Sequence, residues 1–330
     1  MEQNKIWSDG PFFVYWNITK KCNFNCEHCH AVSSDGNELD FAQCKSVIDK
    51  MLDARVQQVI IAGGEPLLKE KIFELLNIIY SAGMRYSLMT NGYYVNYTVA
   101  KRLKELGVGE IQFSLDSYSR EVHDTFRKYN GSFDHVINAI KLCGDNQITV
   151  GVNTVLIPEN IRNIEKLGDL LNSLGVDSWR VTINIPKGKG KADYNKLCIN
   201  SEILLEKLQN LKAKYKNFII DDPLCVKFWG IDNSIAKQCG AGKIHCAIEA
   251  NGDIKPCVFF DRSYGNIMYT DLLTIWRSEG MEKIRQTSPL YKVCSVCINA
   301  YKCKGGCRVF KNFYEENRLP NIFCFAEELR

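Results

Sequence analysis

Residues 12–30 read FFVYWNITKKCNFNCEHCH: aromatic and β-branched residues dominate from Phe12 to Ile18, and three cysteines follow at once. Such a run predicts a strand buried in a sheet, and the spacing Cys22-x3-Cys26-x2-Cys29 loads the loop after it with thiols. Outward from this point the pattern repeats. Further strands are expected at Gln58–Ala62, Tyr86–Thr90, Glu110–Leu115, Thr149–Leu156 and Trp179–Ile185. Segments of helical period separate them, near Phe41–Ala54, Glu70–Ala82, Val95–Leu106, Phe133–Cys143 and Ile161–Leu174, with Gly83, Gly107, Gly144 and Gly175 at or just past helix ends. Strand and helix in alternation predict a parallel sheet. The fold class is α/β, a partial (β/α)6 TIM-like barrel.

Ligands of such sheets bind at the C-terminal ends of the strands. Those positions carry unusual residues here: the cysteine trio after the first strand, Gly63-Gly64-Glu65-Pro66 after the second and Asn91-Gly92 after the third. The fourth ends in Ser114-Leu115-Asp116-Ser117, and the fifth holds Asn153. Three thiolates on a four-iron core leave one iron open, whereas a structural zinc is closed by four protein ligands. A zinc completed by His28 or His30 is the alternative for the trio taken alone. It leaves the polar sequences at the other strand ends unexplained.

The chain has 330 residues and a net charge of +4 from 42 basic and 38 acidic side chains. No basic run with interleaved aromatics marks a nucleic-acid face. Met1 to Gly10 is polar apart from Ile6 and Trp7, and there is no apolar run of about 18 residues to suggest a membrane span. A soluble, cytoplasmic protein is expected. Fifteen cysteines in such a chain point to metal binding or redox chemistry rather than disulfides. Nine of them lie between Cys225 and Cys324, so that region is expected to be organised by metal. A boundary near residue 220 gives a barrel unit, 1–220, that includes a bridging helix at Ser201–Tyr215 after the polar Pro186–Lys191 connection, and a cysteine-rich unit, 221–330. Within the latter, Asn251-Gly252 between alternating segments predicts a β-hairpin whose arms carry Cys246 and Cys257. Cys294 to Cys307 alone would also suit a zinc ribbon.

The trio and the motifs after it resemble the radical S-adenosylmethionine (SAM) superfamily, from about Phe12 to Ile185. The resemblance implies a [4Fe–4S] cluster on Cys22, Cys26 and Cys29, whose fourth iron is chelated by the amino and carboxylate groups of SAM. It places His28 near the adenine and assigns Gly63, Gly64, Glu65 and Pro66 to the methionyl amine. Ser114 and Asp116 would bind the ribose, Asn153 the ribose or carboxylate, and Asn91 joins the cofactor-binding set. The later pattern, Cys239-x12-Gly252-x4-Cys257, Cys294-x2-Cys297-x5-Cys303-x3-Cys307 and Cys324, resembles the SPASM extension with its two auxiliary [4Fe–4S] clusters. This implies three clusters in all: Cys294, Cys297, Cys303 and Cys324 on the outer auxiliary one, Cys239, Cys257 and Cys307 on the inner. Cys246 is either a fourth inner ligand or a small buried hairpin residue. Cys225 is a candidate ligand or hydrogen-atom donor, and Cys44, Cys143 and Cys198 read as plain thiols.

The function implied is reductive cleavage of SAM to a 5′-deoxyadenosyl radical that abstracts hydrogen from a substrate. By resemblance that substrate is a peptide or small protein, cross-linked or oxidised in RiPP-type maturation. An electron donor such as flavodoxin or ferredoxin is implied. A separate peptide-recognition partner is a further expectation, because the first strand starts near residue 12. Sulfatase maturation fits less well: Val258 follows the hairpin cysteine where those relatives have aspartate, and Asp261 comes three residues later. A small-molecule oxidoreductase, epimerase or cofactor-biosynthesis enzyme is the enzymatic alternative, and a zinc-stabilised interaction protein the non-enzymatic one.

Overall fold

The computed structural model describes residues 9–30, 37–220, 239–286, 292–296 and 305–317; Cys225, Cys297, Cys303 and Cys324 lie outside the described residues. Six strands come first: β1 Phe13–Thr19, β2 Gln58–Gly63, β3 Arg85–Thr90, β4 Glu110–Ser114, β5 Val150–Leu156 and β6 Ser178–Ile183. Three short ones follow, β7 Phe218–Ile220, β8 His245–Ile248 and β9 Ile254–Lys255. They form one sheet in the order β7-β6-β5-β4-β3-β2-β1-β8-β9, in which every pairing is parallel except β8 with β9. The fold is a mixed α/β partial barrel.

Alternation along the strands decides what each face does. Val14, Trp16 and Ile18, Val59 and Ile61, Ile111 and Phe113, and Trp179 and Val181 are buried in the main core, each contributing about 1.5–3 kcal/mol of apolar burial. The helices cover this face. They are α1 Phe41–Asp53, α2 Ile72–Ser81, α3 Tyr97–Glu105, α5 Ser132–Asp145, α6 Pro158–Ile161 and α7 Ile164–Ser173, whereas α4 Arg120–Arg127 buries Phe126 in a separate small cluster with Ile157 and Leu197. α1 shows the logic: Asp40 and Gln43 close a capping box, and Cys44, Val47, Ile48 and Met51 form the buried stripe. The opposite face of the sheet is polar. Arg180 donates to Glu110 at 2.8 Å, Gln112 to Glu110 at 2.8 Å and Asn153 to Gln112 at 3.0 Å, a chain of bonds across three strands.

Several elements depart from the sequence reading. α4 was not anticipated, because its buried residues include His123, Asp124 and Arg127 beside Phe126, so no apolar stripe announces it. The connection after β6 contains two short helices, α8 Lys189–Ala192 and α9 Tyr194–Leu197, before α10 Ser201–Lys214. Gly144 lies inside α5, and the left-handed conformation past that helix belongs to Gln147, at φ 56°. The hairpin forms at Asn251-Gly252 as expected, but its first arm pairs in parallel with β1, Val14 opposite Cys246 and Trp16 opposite Ile248. The cysteine-rich segment thus extends the barrel's own sheet.

Candidate active site

The loop after β1 is pinned before its first cysteine. Gly64 N–H donates to Thr19 O and Glu65 N–H to Lys21 O, both at 2.8 Å, while the Glu38 carboxylate accepts from Lys20 N–H at 2.7 Å and from the Thr19 hydroxyl. A Cβ on Gly64 would sit 2.2 Å from Lys21 O, and one on Gly63, at φ 138°, 2.4 Å from Thr19 O. The two glycines therefore admit the cysteine loop itself to close contact. Cys22 is exposed, Cys26 buried and Cys29 half-buried. Desolvation pushes the Cys22 thiol up to about 11, with Cys26, Glu65 and Cys29 adding like-charge repulsion. Cys26 is raised mainly by burial, against the pull of Arg127. Such thiols stay protonated until a metal core displaces the protons, so iron binding here releases acid.

The strand ends converge around this loop. Glu65 is fully buried, and its carboxylate accepts from Thr90 Oγ1 at 2.8 Å, Asn91 N–H at 2.9 Å and Leu67 N–H at 3.1 Å. Burial pushes it up to about 7 despite those donors. Pro66 opens a one-turn 3-10 helix directly after it. Asn91 donates to Asn23 Oδ1 at 2.9 Å, tying the third strand's end to the cysteine loop. Ser114 stands in register with Asn153. Asp116 is fully buried and engaged by the protein: Arg127 Nε donates at 2.6 Å and Val155 N–H at 2.9 Å. Burial alone would raise its carboxyl, but Arg127, His123 and His28 hold it below the ordinary carboxylate range. Arg127 also points a second nitrogen at Cys26 Sγ, 3.9 Å away. His28 stacks on Phe126, ring centroids 4.5 Å apart.

A second thiol group forms in the C-terminal part. Cys257 is pushed up to about 12 by burial and then by Cys239, and Cys307 is pushed higher still by burial, Cys239 and Cys257. Electrostatic influence thus links Cys239, Cys257 and Cys307, the three residues that the resemblance assigns to the inner cluster. Cys246 is set differently: it is a fully buried core residue on β8, raised to about 12 by burial alone. Cys294 is buried at the 3-10 turn Lys292–Val296. Cys44 and Cys143 are buried core thiols, and Cys198 is half-buried beside the main core.

Residues 16–171 match the radical SAM superfamily, and residues 239–298 match the SPASM iron–sulfur cluster-binding domain. The chain is a radical SAM enzyme with a SPASM extension. Among curated proteins, AdoMet-dependent heme synthase of Methanosarcina barkeri (strain Fusaro / DSM 804) is 27% identical over 91% of this chain and 92% of its own length. Mycofactocin maturase MftC of Mycobacterium tuberculosis (strain ATCC 25618 / H37Rv) is 27% identical over 95% and 82%. Fe-coproporphyrin III synthase of M. barkeri reaches 35% over a shorter span, 48% of this chain and 40% of its own. In fold, the chain superimposes on Streptococcus suis SuiB bound to S-adenosylmethionine with a TM-score of 0.76 at 20% identity, covering 91% of this chain and 74% of SuiB. It superimposes on anSMEcpe with bound AdoMet with a TM-score of 0.72 at 21% identity, covering 96% and 99%.

The cofactors of this radical SAM enzyme are SAM and iron–sulfur clusters, auxiliary ones included, and its barrel residues suit a polar ligand. Among the described residues, buried polar atoms without a protein partner include Asn23 Nδ2 and His28 Nδ1 after β1, Asn153 Oδ1 within β5 and Asn184 Oδ1 after β6, besides Trp16 Nε1 on β1 and His245 Nδ1 at the start of β8. Unpaired buried groups of this kind call for a ligand or water. Asn153 shows how one is oriented, since Gln112 holds its amide nitrogen and leaves the oxygen as an acceptor. Sequence reasoning missed Asn23, Thr90, Arg127 and Asn184. Asn184 was findable, because it follows β6 where the earlier strands also carry polar residues; Arg127 was not, because it reaches the site from a helix with a charged buried face.

Proposed function

We propose that this radical SAM enzyme modifies a peptide or small protein, abstracting hydrogen from a side chain or the backbone in a RiPP-type maturation. The observation that carries this reading is the similarity to mycofactocin maturase, which runs through barrel and extension alike, over 95% of this chain. The bound cluster and SAM supply the radical; the protein holds and shields the reactants. Cys22, Cys26 and Cys29 would hold the SAM-binding cluster, Asn153 and Asn184 would accept hydrogen bonds from the bound cofactor, and Arg127 would steady Cys26. We place the working division at residue 220, with Cys239, Cys257 and Cys307 holding one auxiliary cluster and the other resting on Cys294 with Cys297, Cys303 and Cys324. A flavodoxin or ferredoxin would supply the electron, and a separate protein would present the peptide. A reducing, cytosolic compartment suits so many cluster-bound thiols.

A second reading has its own support. The heme synthase matches 92% of its own length here, which favours a small tetrapyrrole-like substrate. Anaerobic, reconstituted protein given dithionite and SAM is expected to form 5′-deoxyadenosine, and Cys26→Ala to cut that rate at least about 100-fold, a loss of some 2.7 kcal/mol in transition-state stabilisation. Mass spectrometry then separates the substrates. Short peptides encoded beside the gene, co-expressed with the enzyme, should change mass, whereas conversion of iron coproporphyrin III with every such peptide untouched would replace the first reading by the second.

A further inference from the structure

Four chain segments meet at the barrel mouth, beside the third cysteine of the cluster loop. Asn17, on β1, donates to Glu249 Oε2 at 3.2 Å, and Lys255, on β9, lies 3.2 Å from Glu249 Oε1. Lys187, in the loop after β6, pairs with Asp261. That loop is drawn in by Lys189 N–H, which donates to Cys29 O at 3.0 Å. Asn17, Lys187 and Glu249 thus stand at the C-terminal ends of three parallel strands, where barrels bind their substrates. His30, the residue after the third cysteine, lies against Phe259 at a centroid distance of 4.7 Å, and it feels Glu249, Lys187 and Lys255 together.

The charges here are unevenly buried. The side chains of Lys187, Lys255 and Glu249 are 16%, 15% and 15% exposed, but Asp261 is 92% exposed. Inside the mouth, then, two ammonium groups share one carboxylate, and the second counter-ion stands in solvent. Partial burial, Lys255 and Lys191 push the Lys187 ammonium toward losing its proton, and Glu249 opposes them. An ion pair with a solvated carboxylate holds weakly, so an incoming anion displaces Asp261 at little cost and gains a desolvated, charge-assisted contact. Asp261 marks where such a group would sit.

We propose that Lys187 and Lys255 form a subsite for a carboxylate of the substrate, which replaces Asp261 on Lys187 and is held one residue beyond the cluster loop. The proposal rests on the reading of this mouth as the substrate site. It names the shared chemistry of three sources: a peptide C-terminus, an acidic side chain, or the carboxylates of a small molecule.

Lysine acetylation of the anaerobic, cluster-loaded protein, mapped by mass spectrometry, tests it without turnover. The probes are N-acetylphenylalanine, its neutral amide, N-acetylglutamate α-amide and coproporphyrin III. At least one acid is expected to slow acetylation of Lys187 and Lys255 threefold or more while the amide does not, and which acid does so identifies the source. Lys187→Gln should abolish that protection at Lys255, and Lys187→Arg should keep it. Equal protection by acid and amide, or none by any acid on the unaltered protein, overturns the subsite whether or not a variant folds. Protection by coproporphyrin III alone keeps the subsite and counts against the peptide reading, so the two fail separately.

Discussion

The guanidinium of Arg127 lies between a carboxylate and a thiol, 2.6 Å from Asp116 Oδ2 and 3.9 Å from Cys26 Sγ. All three side chains are buried, so the pair is desolvated and each charge depends on the other. Arg127→Met should leave Asp116 charged and unpaired at a cost of about 3–5 kcal/mol, seen as a lower urea midpoint by circular dichroism under anaerobic conditions. Arg127→Lys should fall between, since an ammonium keeps the charge but cannot present two nitrogens along fixed directions to Asp116 and Cys26. An unchanged midpoint in Arg127→Met would refute the assignment of the pair. Asp116 was visible in the sequence as a polar residue at a strand end. Its engagement by Arg127 was not, because a cation eleven positions away on a helix without an apolar stripe leaves no periodic signal.

The six long strands were legible because each pairs a β-branched or aromatic core row with flanking turn residues, and a parallel sheet covered by helices requires that pattern. β7 and β8 were harder: β7 has three residues, and β8 joins the sheet by pairing with a strand more than 220 positions earlier, a long-range contact that local pattern cannot report. The resemblance assigns Gly63-Gly64 to the methionyl amine, and the structure gives the pair a prior task, the joint between β2 and the cysteine loop. Gly64→Ala tests that joint. Its Cβ would fall under 3 Å from three backbone atoms of Lys20 and Lys21, so the loop must move, at an overpacking cost of about 1–3 kcal/mol. The expected result is loss of SAM-cluster iron on dilution, followed by electron paramagnetic resonance of the reduced protein, with the auxiliary-cluster signals retained. Full retention of the SAM-cluster signal would show that the joint tolerates the displacement.

Across the whole molecule the thiols fall into two groups that the shared sheet holds in one framework: Cys22, Cys26 and Cys29 leave β1, and Cys257 follows the hairpin whose first arm is hydrogen-bonded to that same strand. A common scaffold does not require common occupancy. Each group has its own electrostatic neighbours, since Cys22 is perturbed by Cys26 and Cys29, and Cys307 by Cys239 and Cys257. Loading of one group should therefore survive loss of the other. Three four-iron clusters correspond to about 12 iron and 12 sulfide per chain, and replacing Cys22, Cys26 and Cys29 together by alanine should leave about 8 of each, the content of two such clusters. SAM cleavage should vanish in that variant, because the open iron is gone. In the converse variant, Cys257→Ala with Cys307→Ala, iron should fall toward about 8 with the SAM-cluster signal preserved, and substrate conversion should drop further than SAM cleavage. Iron and acid-labile sulfide assays with circular dichroism as the folding control decide the matter: a folded triple variant with no iron would mean that the extension carries no cluster of its own, and zinc in place of the residual iron would make it a structural domain.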